Sequence, residues 1–169
     1  MLELGIIVAV VAILAAVGLP SLLAGIQRTR LRGGAEQVLN DLRRTQSLAM
    51  TTGARHRMYL RACPGGPTPC RQYRVEREAA GPTWPLESET PGTNPNVLTE
   101  WQDLGRDYEG VRITELRDNA GSAVASVMFD SLGASVNLGV TYPLTLAVVH
   151  GAGGQRTVQV RSAGSMRMQ

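Results

Sequence analysis

The sequence predicts an α+β chain: a long N-terminal helix, membrane-spanning in its first half, followed by an all-β, sandwich-like domain. Three observations carry this reading. Residues 4–27 hold no charged side chain. A stripe of apolar and small residues at helical spacing runs on from Leu31 to Ala49. After Gly53 the chain breaks into short β-like runs separated by Gly and Pro. A length of 169 residues suits one helix-plus-domain unit and is too short for two ordinary domains. The boundaries expected are 1–53 for the helix and 54–169 for the β domain.

The uncharged run, 24 residues long, would span roughly 36 Å as a helix, against a hydrocarbon core of ~30 Å. A secretory signal peptide is shorter and carries basic residues in front; here none precede. One acid, Glu3, stands at the front of the run, and Pro20 sits near its far end. The helical pattern then continues through Leu31, Ala35, Val38, Leu42, Thr45 and Ala49, with charged residues on the other faces and Gly53 as a stop. Gly33–Gly34 is a weak point, because each glycine costs ~1 kcal/mol relative to alanine inside a helix. One helix of roughly fifty residues by this periodicity, or an anchor, a Gly-Gly hinge and a second helix, both fit the pattern.

Residues 55–62 and 71–78 predict the two strands of a hairpin, with Cys63 and Cys70 closing the Pro- and Gly-rich loop 63–70 between them. A disulfide in so small a ring stabilises by ~2.5 kcal/mol on the chain-entropy model. Zinc would need about four ligands, and His56 and His150 are far apart in sequence. The spacing is not Cys-x-x-Cys, which sets aside a thioredoxin-like motif. Residues 79–97 predict a long irregular loop, and β-like runs follow at 97–101, 110–116, 124–130, 134–140, 144–150, 156–161 and 165–169.

A disulfide belongs outside the reducing cytosol. Arg28, Arg30 and Arg32 flank the far end of the apolar run with nothing basic before it, which by the positive-inside rule would leave the β domain in the cytoplasm. A basic segment upstream of Met1 would remove the conflict.

The opening stretch, MLELGIIVAVVAILAAVGLPSLLAG, resembles the start of the type IV pilins and type II secretion pseudopilins, proteins with a class III signal peptide. Their precursors carry a short basic leader ending in Gly. A prepilin peptidase removes it, and the new N-terminus is methylated. The family pattern places a Glu near the start and a Pro seventeen positions later, the separation of Glu3 and Pro20. By this resemblance Met1 stands two residues into the mature chain, with the leader encoded upstream. The run VMFDSLGAS and the end GGQRTVQVRSAGSMRMQ are similar to the GspH/FimT branch of minor pilins and pseudopilins. The resemblance implies assembly into a type IV pilus or type II secretion pseudopilus. The subunit would wait in the bacterial inner membrane with its β domain extracytoplasmic. Its partners would be other subunits, the inner-membrane assembly platform and, for the precursor, the peptidase. Glu3 would pair with the terminal amine of a neighbour, and Pro20 would let the helix loosen as it packs.

Charge gives a second lead. All 17 basic residues are arginine, and the net charge is a modest +3. Residues 55–77 carry Arg55, Arg57, Arg61, Arg71, Arg74 and Arg77 against Glu76 alone, while residues 131–169 carry Arg156, Arg161 and Arg167 with no acid. Arg55, Arg57, Arg71, Arg156, Arg161 and Arg167 are therefore candidate phosphate contacts, with Tyr59 and Tyr73 able to stack on bases. The resemblance implies DNA capture for FimT-type members through a terminal Gly-Arg-x-Arg; here the stretch is Gly164-Ser165-Met166-Arg167, with serine at the first arginine's place. Solvated arginines on strand faces are the plainer alternative. No nucleophile elbow, phosphate-binding loop or metal-ligand cluster is present in the sequence, so neither an enzyme nor a cofactor is expected.

Overall fold

The computed structural model describes residues 2–64, 70–79, 81 and 83–169, with side chains from Ser21 onward. Helix α1 runs Leu2–Thr52. Strands β1 (His56–Ala62) and β2 (Arg71–Arg77) follow, then a short helix α2 (Leu104–Asp107). Strands β3 (Val111–Arg117), β4 (Ser126–Phe129), β5 (Leu144–His150), β6 (Gln155–Val160) and β7 (Met166–Met168) complete the chain. Among the described residues no helix is long and apolar enough to cross a membrane; most of the uncharged run 4–27 lies outside the described side chains.

The helix passes through Gly33–Gly34 without a break, which removes the hinge alternative. The reason is packing. A Cβ on Gly33 would lie 2.6 Å from the Tyr108 ring, and one on Gly34 would lie 2.8 Å from Val111 Cγ1. The two glycines bring α1 close to the α2–β3 corner, and that contact offsets their low helix propensity. Leu31, Ala35, Val38, Leu39, Leu42, Thr45 and Ala49 are buried. Gly53 ends the helix in a left-handed conformation at φ 66°, with its N–H donating to Ala49 O.

All seven strands belong to one antiparallel sheet in the order β4-β1-β2-β3-β5-β6-β7. A sandwich-like pair of sheets is expected from the sequence; here α1 takes the place of the second layer. Its stripe packs on Met58, Leu60, Ile113, Phe129, Leu146, Val158 and other inward strand residues in one core. Strands β2 and β3 meet only at Arg71 and Ile113. Further along β2 the partner is the 96–102 segment, through bridges Tyr73–Gln102 and Glu76–Val97. The expected strand 97–101 is thus a line of isolated bridges. Residues 134–140 also form no strand beyond the bridge Phe129–Ser135.

The sheet curls around the helix until its two ends touch. The Ser135 N–H donates to Ser162 O, and Gln46 on α1 donates its amide to both Gly133 O and Gly164 O. On the other side, Tyr73 of β2 is buried and donates its hydroxyl to Asp41 of α1 at 2.7 Å. Burial, and then the Asp41 charge, hold that hydroxyl well above the usual tyrosine range. The folded chain therefore keeps the proton where the unfolded chain releases it, above pH ~10. Stability from this site is complete below that pH and is lost as pH rises beyond it. Tyr73→Phe is expected to cost about 1.5–3 kcal/mol at neutral pH and to flatten this alkaline loss, both read from thermal melts of the detergent-solubilised chain.

Candidate functional site

Beyond the domain, α1 carries its own apolar surface. Leu22, Leu23 and Ile26 are 63%, 57% and 41% exposed. Ser21, Leu22, Gly25, Ile26, Thr29 and Arg30 line a shallow groove along it. Three large apolar residues on one exposed helical segment would be unusual for a free soluble surface. Glu3 and Pro20 lie N-terminal to this segment, and their side chains fall outside the described residues.

Cys63 and Cys70 are joined in a disulfide across the end of the β1–β2 hairpin, with Cα atoms 5.4 Å apart. Replacing both with serine is expected to lower stability by about 2.5 kcal/mol, since the reduced chain regains loop entropy; a melt with and without reductant measures the same quantity on the native sequence.

The hairpin arginines are largely spoken for. Arg57 and Arg74 both bind Glu76, each at 2.6 Å, and Arg74 and Glu76 are almost fully buried. Arg74 also donates to the carbonyls of Leu86, Glu87 and Glu89. It thereby fixes the long loop over the outer face of the hairpin. Arg57 lies over the rings of Tyr59 and Trp84, and Arg61 lies 3.8 Å from the Trp101 ring centre. Arg55 pairs with Glu78. Arg71 is half-buried on the helix-facing side of β2, in line with Tyr73 and Val75. Tyr73 is buried, which corrects its reading as a base-stacking residue; the Tyr59 hydroxyl donates to Glu87.

Net charge along the sequence did not show this pairing, but the cysteines could have. In a hairpin whose register is set by Cys63 opposite Cys70, Arg57 must face Glu76, and the observed register has that pair.

Arg156, Arg161 and Arg167 are exposed, and no acid pairs with them among the described residues. They do not form one surface. Arg156 shares the strand face of Val158 and Val160, toward the helix, whereas Arg161 is on the outer face with Gln159. Arg167 pairs with Gln159 in register and donates to its side-chain oxygen. Of the six candidate phosphate contacts, Arg161 and Arg167 are the two that are exposed on the outer face with no acid partner among the described residues.

The motif residues near the end have structural work at the seam. Asp130 accepts from the N–H groups of Leu132 and Ala134, shaping the turn that presents the Gly133 carbonyl. Gly164 sits against that carbonyl at φ 76°, with no room for a Cβ.

A long helix packed on one curled antiparallel sheet is also the fold of solved structures. The minor pseudopilin EpsH from the type 2 secretion system of Vibrio cholerae superposes with a TM-score of 0.55 at 15% identity, covering 83% of this chain and 96% of that one. The fold is that of the minor pilins and pseudopilins. The type IV minor pilin FimU of Pseudomonas aeruginosa matches this pilin fold in two crystal forms. The TM-score is 0.51 in each, at 13% and 15% identity, covering 84% and 82% of this chain and 90% and 91% of FimU. Neither a protein-family model nor a curated protein matches the sequence.

Proposed function

We propose that the chain is a minor pilin or pseudopilin, a subunit that joins a type IV pilus or type II secretion pseudopilus through its N-terminal helix. The observation that carries this is the apolar segment at Leu22, Leu23 and Ile26, exposed beyond a domain of pilin fold. It lies within the uncharged run 4–27, so the helix has a lipid-compatible surface before assembly and a helix-compatible one afterwards. Residues 1–53 then serve as anchor and filament-core element, and residues 54–169 as the extracytoplasmic domain. Glu3 pairs with the amine of a neighbouring subunit, and Pro20 loosens the helix where subunits pack. The inner-membrane assembly platform and other pilins are its partners, and a prepilin peptidase processes its precursor. The disulfide supports an oxidising compartment for the domain. Mass spectrometry of sheared, purified filaments tests this: peptides from residues 71–169 should be present, and their absence from filaments of a strain expressing the chain would count against the proposal.

A second reading, contact with DNA, is supported by Arg161 and Arg167 on one face without acids. It expects a gel shift by the detergent-solubilised chain at ~50 mM salt that fades steeply as salt rises, since each neutralised phosphate releases counterions. Arg161→Ala and Arg167→Ala should weaken it equally for any sequence. No shift at low salt would remove this reading.

A further inference from the structure

The two ends of the sheet are finished differently. At β4 the chain closes its own edge. The Asn137 amide donates to Ser126 O at 2.6 Å and accepts from Met128 N–H at 2.9 Å, and Val136 N–H donates to Met128 O. The Tyr142 hydroxyl holds Asn137 in place by accepting from its N–H.

At β7 nothing equivalent exists among the described residues. Thr157 and Gln169 exchange both backbone bonds, and Arg161 N–H donates to Ser165 O. This alternation turns the N–H and C=O of Arg167 toward β6 and those of Met166 and Met168 outward. No hydrogen bond reaches those outward groups among the described residues. Such an edge is a template for an added strand.

We infer that the β7 edge docks an extended, acidic segment of the adjacent subunit, added to the sheet as a further strand; this rests on the filament reading above. The charge chooses the occupant. Arg161 and Arg167 stand beside the edge, and residues 131–169 contain no acid. An incoming strand with carboxylates is attracted, and a basic one is repelled. Exposed Leu132 and Met50 border the same end of the sheet, near Gly133, and give the docked strand an apolar rim. A second copy of this chain is a poorer donor than a different subunit, because the loop carboxylates Glu87 and Glu89 are already engaged in their own chain, Glu87 accepting from Tyr59 and Glu89 from Leu86 N–H and Asn94.

The test uses the full chain in detergent and a labelled peptide of alternating valine and glutamate, with a valine–lysine peptide as control. Met168→Pro removes an outward N–H while leaving the β6 ladder intact, and Arg161→Glu with Arg167→Glu reverses the charge. The glutamate peptide should bind the native chain and the lysine peptide should not. Each variant should weaken binding at least about tenfold, a change of ~1.4 kcal/mol, with the melting temperature unchanged. Absence of binding to the native chain, or equal binding by folded Met168→Pro, would overturn the inference whether or not the chain is found in filaments. Failure of the filament reading would show separately, as a chain that binds the peptide yet is missing from sheared filaments.

Discussion

Gly164→Val should destabilise the domain by about 4 kcal/mol, combining a left-handed backbone forced on a β-branched residue with overpacking against a carbonyl. The side chain would have to enter the space held by Gly133 O and the Gln46 amide. These are the groups through which the helix ties the two ends of the sheet together. The melting temperature of the solubilised chain should fall by roughly 8–16 °C at 2–4 °C per kcal/mol. Gly53→Ala is the control. Gly53 also has positive φ, but no neighbour lies within 4 Å of an added Cβ, so only the conformational share, about 1 kcal/mol, should appear. Equal effects at the two positions would show that the seam is not under steric constraint.

Glu3→Ala should impair assembly without harming insertion. Removing a charge makes the apolar segment cheaper to place in lipid, where a carboxylate costs ~2.5–3.5 kcal/mol at the bilayer centre. The neighbour's terminal amine would lose its partner at the same time. Fractionation should show native levels in the membrane and a fall of about tenfold or more in the sheared filament, corresponding to ~1.4 kcal/mol or more of lost pairing. Normal incorporation would contradict the pairing role.

Much of the fold is legible where a single period governs a segment. The stripe Leu31–Ala49, the alternation of β1, and the β5–β6 hairpin each bury one face, and each is visible in the sequence. Other parts depend on distant groups. Residues 97–101 have strand-like composition, yet they line up beside β2 only where β3 has diverged from it. Residues 134–137 look like a strand and act instead as a plug, because the Asn137 side chain takes the hydrogen bonds a strand backbone would. The candidate phosphate contacts depend on distant groups most of all. Summed charge marks residues 55–77 as basic, but Glu76 binds two arginines at once, and Trp84 and Trp101 cover arginines from a loop distant in sequence. Composition counts charges, whereas a surface depends on which of them remain unpaired.

In the proposed filament, the helix beyond the domain packs against other subunits. A photo-crosslinking residue placed at Leu22 or Ile26 in living cells measures this directly, because both side chains are exposed along the projecting segment. The expected result is a crosslink to the N-terminal helix of a different pilin, recovered in the sheared filament. Crosslinks to lipid alone, in cells that are assembling filaments, would contradict it.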